Sequence, residues 1–337
     1  MYNIIVYLLF SFLLFFLFAK ISYKLNLVDL PNNRKIHCKA ISYAGGISIS
    51  VTLLFSILLL DTSEDIINII ISISFLVSLI GLIDDKFHLN PCVKLSIQII
   101  PIFYLVVFQN LTLNQLGNYD YFELNLEFFK IPLTLTCVLF LINSFNYFDG
   151  MDGTLSFVSI STLAILYFLI PNQNFHKILI IILIPLVIFL FFNFSFFKLP
   201  KMFLGDSGSL TLGFIISFIL IYLANNNFAH PILLAWSITI FVYEFLSINL
   251  IRLKNNKKLF KAAQDHLHHI LFKITKSIFL TNFLIIFTNV ILFIVGYFSF
   301  KYINPLISLI LFISFFFFFL FFRNRYSIKI EKLKSFN

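Results

Sequence analysis

Charge is what this sequence has least of. Only 12% of its 337 residues are Asp, Glu, Lys or Arg, about half the roughly 25% of an ordinary soluble domain. No polar stretch is long enough to fold as a separate soluble domain. No low-complexity domain, linker or convincing internal repeat is present. There are three cysteines, Cys38, Cys92 and Cys137, and none has CxxC or CxxH spacing. That argues against a disulfide framework and against structural zinc. No basic residue precedes the first apolar run, Ile4 to Ala19, and Lys20 follows it. A secretory signal carries its positive charge first, so this run reads as a retained helix with its N-terminus outside.

What fills the chain instead is apolar. Hydrophobic residues make up 60%, with 48 phenylalanines and a mean hydropathy of +0.98. Apolar runs recur at 4–22, 41–60, 66–83, 93–109, 131–148, 154–170, 177–197, 208–224, 229–251, 279–299 and 303–322. Each is close to the roughly 20 residues a bilayer requires. The fold class is therefore all-α: a polytopic membrane protein with about eleven transmembrane helices. One membrane domain spans 1–322, and 323–337 reads as a basic cytoplasmic tail.

The basic residues orient these helices. With the N-terminus outside, the inner connections and tail hold twenty of the 24 Lys and Arg residues, and the outer connections hold Lys130, Lys177 and Lys301. Positive charge is retained on the cytoplasmic side, so the C-terminus is cytoplasmic. The net charge of +9 then reads as a topology signal and a match to anionic lipid heads, not as a nucleic-acid footprint. Acids Asp61, Glu64, Asp65, Asp120, Glu123 and Glu127 fall in plain outer loops. Apart from Glu244, the others fall on the inner side, most of them beside unusual polar motifs.

Five such motifs follow one another. The first inner loop, Val28 to Gly46, holds Arg34, Lys35, His37 and Lys39, donors suited to phosphate, and the pair Gly45–Gly46. The second, Gly81 to Lys94, ends a helix on Asp84 and Asp85. Adjacent carboxylates repel and oppose the helix macrodipole, so they need a cation or proton unless they are solvated. The third, Asn143 to Gly153, reads NSFNYFDGMDG. Its three-residue steps would bring Asn143, Asn146, Asp149 and Asp152 along one side of a helical segment. Oxygens of this kind suit a hard cation such as Mg²⁺. The fourth, Lys198 to Gly213, sets Asp206 between Gly205 and Gly208. It reads either as a helix N-terminus offering amides to an anion or as a simple N-cap. The fifth, Lys261 to Leu271, carries His266, His268 and His269, either phosphate donors or part of a basic loop. Glu244 is the one acid well inside an expected span. It is either functional or a neutral, hydrogen-bonded group within the bundle.

In this order and on one face, the motifs resemble the polyprenyl-phosphate N-acetylhexosamine-1-phosphate transferase family (glycosyltransferase family 4), in its WecA-type branch. The resemblance rests on Asp84–Asp85, NxxNxxDGxDG, FLGDSGS at Phe203 to Ser209, and HLHH at His266 to His269. It covers nearly the whole chain. The chain departs from the family at Ala40 and Ser42, where prolines are common, and at Ala262 to Asp265, where an arginine is common.

The resemblance implies a reaction. An N-acetylhexosamine 1-phosphate passes from a UDP-sugar to a polyprenyl phosphate, UMP leaves, and polysaccharide assembly begins. It implies Mg²⁺, with Mn²⁺ as the alternative. It assigns Asp206 and Asn146 to the metal, and Asp84, Asp85, Asp149 and Asp152 to catalysis. It gives Lys94, Asn143, His266, His268 and His269 to substrate binding. The expected partners are UDP-N-acetylhexosamine and polyprenyl phosphate, with a second copy of the chain as a candidate and no nucleic acid. The expected location is the bacterial inner membrane, with the site on its cytoplasmic face. Two competing readings are the phospho-N-acetylmuramoyl-pentapeptide transferase of peptidoglycan synthesis and a cation-coupled transporter.

Overall fold

The computed structural model describes residues 2–31, 39–60, 64–256 and 266–335. In chain order its helices are α1 (Tyr2–Lys24), α2 (Gly45–Leu59), α3 (Asp65–Phe87), α4 (Pro91–Phe103), α5 (Lys130–Phe148), α6 (Thr154–Leu169), α7 (Gln173–Asn193), α8 (Gly205–Asn225), α9 (Pro231–Ser237), α10 (Thr239–Lys254), α11 (Leu267–Thr275), α12 (Ile278–Tyr302) and α13 (Pro305–Ser335). Strand is confined to two small antiparallel pairs among these residues. β1 (Val28–Asp29) pairs with β2 (Ile41–Ser42), and β3 (Gln115–Asn118) with β4 (Glu123–Asn125).

The protein is an all-α polytopic membrane protein. Eight helices among the described residues are long and apolar enough to cross a bilayer, counting α4 with its π-helical extension Tyr104–Phe108. A ninth arises if α9 and α10, bent by 75° at the break between them, act as one span. Helices α2 and α6 are apolar but only 15 and 16 residues long. Every expected run thus holds a helix, and the eleven fall into eight full-length ones, one bent pair and two short ones. Helix α11, nine residues long, is an addition to them.

Local chemistry sets many of the boundaries. Asn90 accepts from Cys92 N–H at 3.0 Å, with Pro91 in the first helical position of α4. Asn172 caps α7 and Ser277 caps α12 in the same way. His88 ends α3 in the left-handed region at φ 51°, a conformation that stops a helix.

The bundle closes around α8, which is buried almost end to end against α2, α3 and α5. Small residues make this approach possible, as in other membrane interfaces. Gly46 of α2 lies directly against the backbone of Gly208, and Gly81 of α3 against Asp206 and Ser207. At Gly213 an added Cβ would stand 2.7 Å from Cα of Ile142 in α5. Ser50 and Ser78 share a 2.8 Å hydrogen bond between α2 and α3. This glycine-lined seam draws the start of α8 against the end of α3, and the acidic residues meet there.

Candidate active site

The end of α3 solves the problem of its two acids by separating them. Asp84 turns back, accepting from Leu89 N–H at 2.8 Å and pairing with the Lys94 ammonium at 2.7 Å. Asp85 crosses to the N-terminus of α8. Its two oxygens accept from the N–H groups of Asp206 (3.0 Å) and Ser207 (3.3 Å). A carboxylate there meets two otherwise unsatisfied helix donors and the favourable end of the dipole. Gly205 is required at this contact. Its φ is +73°, and an added Cβ would stand 2.6 Å from the Asp85 carboxylate. The amides that were an expected cradle for an anion are therefore occupied by the protein's own carboxylate.

Asp206, in the first turn of α8, joins three elements. One oxygen pairs with Lys94 of α4. The other accepts from the Asn146 side-chain amide of α5 at 2.7 Å, and that amide also reaches Ser209 Oγ at 3.0 Å. Lys94 thus stands between Asp84 and Asp206 as a resident counter-ion.

The Asn143 to Gly153 stretch does not continue as one helix. Helix α5 ends at Phe148, and Asp149 is its C-terminal cap at φ −87°, ψ 50°. The expected single line of four polar side chains is therefore broken. Asn146 faces Asp206, whereas Asn143 donates to Leu139 C=O within its own helix at 2.7 Å. Asp149 stays at the acidic cluster. Burial first, and then the charges of Asp206 and Asp152, push its carboxyl up to about 8, with a hydrogen bond from Gly205 N–H opposing. Asp152 lies in the turn to α6 and pairs with Lys201 at 2.6 Å.

The histidines of α11 approach the same stretch from the other side. His268 is buried and its Nε2 lies against Gly150, leaving no room there for a side chain. Burial, then the charges of His269 and His266, hold its imidazole well below the usual range, so it is neutral at pH 7. His266 and His268 are nearly parallel, with ring centroids 5.7 Å apart, and Tyr147 packs 4.7 Å from His266.

These groups border a cavity of about 1250 Å³, lined among others by Asp84, Asp85, Asp149, Asp152, Asp206 and His269. Of the expected residues, Lys94, Asn146, His266 and His268 stand behind it and Asn143 does not reach it. Arg34, Lys35, His37 and Asp265 lie outside the described residues. Several lining residues were not anticipated. Lys201 and Lys273 read in the sequence only as inner-loop charges. Asn193, which donates to Met202 C=O at 2.8 Å, reads as a polar residue near the end of an apolar run. Asn282, which stands behind the lining, was hidden in an apolar span. Its amide donates to Asp152 C=O at 3.0 Å and its carbonyl accepts from Thr154 at 2.6 Å, fixing the acidic turn.

Among the described residues, no group of three or more His, Cys, Asp or Glu side chains is arranged to hold a metal ion by itself. An open set is what a magnesium site requires, because Mg²⁺ takes one or two carboxylates and completes its shell with water and substrate phosphates. Asp85, Asp149 and Asp206, with Asp84, outnumber the single ammonium of Lys94 among them. The charge on Asp149 is suppressed first by burial and then by its acidic neighbours. The donor set fits a hard divalent cation.

Comparison with known proteins bears on the same residues. The family described as glycosyl transferase family 4 matches residues 66–224, which include every acid of the cluster but not the histidines. The undecaprenyl-phosphate alpha-N-acetylglucosaminyl 1-phosphate transferase of Escherichia coli K12 is 30% identical, over 79% of this chain and 74% of its own. The protein of the same name from Yersinia pestis is 28% identical over the same shares. A probable undecaprenyl-phosphate N-acetylglucosaminyl 1-phosphate transferase of Bacillus subtilis is 29% identical, over 74% of this chain and 71% of its own.

Proposed function

The chain belongs to glycosyl transferase family 4, and from that membership we propose that it transfers N-acetylglucosamine 1-phosphate from UDP-N-acetylglucosamine to undecaprenyl phosphate, releasing UMP. The observation that carries the reading is the convergence of Asp85, Asp149 and Asp206 from α3, α5 and α8 on one cavity at the end of the bundle. This is the end that the charge distribution assigns to the cytoplasm. A water-soluble nucleotide sugar and a lipid phosphate meet only at such an interface. On this reading the protein works in the cytoplasmic membrane with its site facing inward.

The reaction is an in-line displacement. A lipid phosphate oxygen attacks the β-phosphorus of the nucleotide sugar, the bond from that phosphorus to the bridging oxygen breaks, and UMP leaves. Two anions must be brought together, so positioning and charge neutralisation carry most of the catalysis. A phosphate monoester has a second pKa of about 6 and is largely ionised at neutral pH, so proton removal contributes little. Lys201, Lys273 and His269 are among the cavity's positive and donor groups. Asp206 and Asp149 are the residues that would hold Mg²⁺, with Asn146 supporting Asp206 from behind through its side-chain amide. When bound, that ion neutralises the pyrophosphate and improves the leaving group. Lys94 keeps Asp84 and Asp206 together, and Asp85 fixes the start of α8, so the acidic cluster is preorganised.

The direct test is UMP release by the purified protein with undecaprenyl phosphate and a panel of UDP-N-acetylhexosamines, with and without EDTA. UMP from UDP-N-acetylglucosamine, lost in EDTA and restored by Mg²⁺, is expected. Turnover confined to UDP-N-acetylmuramoyl-pentapeptide would overturn the donor assignment. Ion flux in proteoliposomes without UMP release would overturn the enzyme itself.

A further inference from the structure

Glu244 and Arg323 form a buried ion pair that the reaction does not use directly. Glu244 sits in α10 and Arg323 in α13, and both side chains are almost completely enclosed. The guanidinium donates twice, from Nε to Oε2 at 2.8 Å and from NH2 to Oε1 at 2.9 Å. Removing two charges from water costs several kcal/mol per ion, and a well-packed apolar pair is often as stable. Stability alone is thus a weak reason for this pair. The carboxylate has a third partner. Oε1 accepts from the N–H of Leu267 at 2.9 Å, and His266 Nδ1 lies 3.8 Å from the same oxygen.

Leu267 is the first residue of α11, the helix that carries His268 and His269. The side chain of His266, the residue before it, makes no capping hydrogen bond. Glu244 caps α11 instead, from a different helix. The cap fixes where α11 begins, and within that same first turn His268 meets Gly150 and His269 reaches the cavity. Arg323 makes the buried carboxylate tolerable in that place. Tyr243, the neighbour of Glu244, donates to Phe312 C=O and packs on Phe312, Phe316 and Phe319, which ties α10 to α13 a second time.

We propose that Glu244 and Arg323 are positioning residues that dock the histidine helix on the active site by capping α11 in trans. Their effect on catalysis rests on the donor reading above and falls on binding of the nucleotide sugar's phosphates. The docking itself does not depend on that reading.

The test therefore has two arms. The first measures carbethoxylation of His268 and His269 by diethyl pyrocarbonate, read by mass spectrometry on the full-length protein in detergent. Wild-type His268 is protected. Arg323→Met leaves an uncompensated carboxylate, and the His268 rate should rise by about ten-fold or more as α11 opens locally. The double variant Glu244→Gln/Arg323→Met retains a neutral acceptor for Leu267 N–H and should return most of the protection. The double variant Glu244→Leu/Arg323→Met has neither charge nor acceptor and should remain reactive. If Arg323→Met does not fold, the contrast between the two charge-free double variants decides, and equal protection in both overturns the proposal. The second arm measures UMP release. Arg323→Met should raise KM for UDP-N-acetylglucosamine by about ten-fold with a smaller fall in kcat, and the glutamine double variant should recover it. Increased His268 reactivity with unchanged KM overturns the positioning role. A wild-type protein that protects His268 yet releases no UMP refutes the donor reading and leaves the docking result standing.

Discussion

Gly81→Ala tests whether the glycine seam sets the geometry of the acidic site. A Cβ at residue 81 would stand 2.5 Å from the carbonyl carbon of Asp206. Carbon atoms rest at about 3.5 Å, so α3 and the start of α8 must separate by roughly 1 Å, because the obstacle is backbone and cannot rotate away. The Asp85 bonds to Asp206 N–H and Ser207 N–H, now 3.0 and 3.3 Å, then lengthen past 3.9 Å and cease to be hydrogen bonds. Two bonds to a charged group are worth about 3 to 6 kcal/mol together. A displacement of about 1 Å at reacting groups costs about 10²-fold in rate. The expected result is a protein that inserts and purifies, melts earlier, and releases UMP about two orders of magnitude more slowly. Gly296→Ala is the control. Its Cβ would strike the buried Trp236 ring, roughly 27 Å along α12 from the cavity end at 1.5 Å per residue. It should lower the melting temperature and leave kcat of the folded protein near normal. A Gly81→Ala enzyme with kcat within about three-fold of wild type would refute the seam argument.

Three further outcomes are expected. The Asp149 carboxyl is held near 8, against an ordinary value of 3.8, so the folded state binds this proton more tightly than the unfolded state. Its contribution to stability is complete below 3.8 and is lost as pH rises through about 8. Without divalent cations the melting temperature should therefore fall between about pH 5 and 8 and level off above that, and Asp149→Asn should flatten that fall. A slope identical in the variant rejects the assignment. Lys201→Met leaves Asp152 without its 2.6 Å partner and removes a cation from the cavity. Steady-state kinetics should show KM for the nucleotide sugar raised about five- to ten-fold. Asn282→Leu strands Asp152 C=O and the Thr154 hydroxyl, whose present distances are 3.0 and 2.6 Å. Chemical denaturation should register a loss of about 2 to 4 kcal/mol, and an unchanged midpoint would show that the turn is held elsewhere.

Most of the helices are legible in the sequence because run length and charge asymmetry are bulk properties of a bilayer. The broken pair α9–α10 reads as one continuous span, since nothing apolar distinguishes a straight helix from one bent by 75°. Among the site residues, spacing brings Asp84, Asp85, Asp149, Asp152 and Asp206 to notice, and the fold brings all five to one cavity. Spacing says nothing of partners. Asp85 binds amides 121 residues ahead, and Lys94, readable as a phosphate contact, neutralises two carboxylates instead. Periodicity also overextends. It carries Asn143 into the same row as Asn146, but the helix ends at Phe148 and only Asn146 turns to Asp206. Glu244 reads as either functional or a neutral bundle residue. Its partner Arg323 is invisible as such because the sequence places it in a basic tail.

The distance along the chain between Asp85 and its partners has a consequence for biosynthesis. The ribosome delivers α3 well before α8, because synthesis runs from the N-terminus at about 5 to 20 residues per second. For several seconds Asp85 has no α8 amides to accept from, while Asp84 already has Leu89 N–H and Lys94 within reach. Hydration is then the chief stabilisation of Asp85, so α3 is anchored at the water interface and cannot slide deeper. The arrival of α8 replaces that water with its own N-terminus. The acid pair thus serves first as a depth stop for a nascent helix and only afterwards as part of a reaction centre.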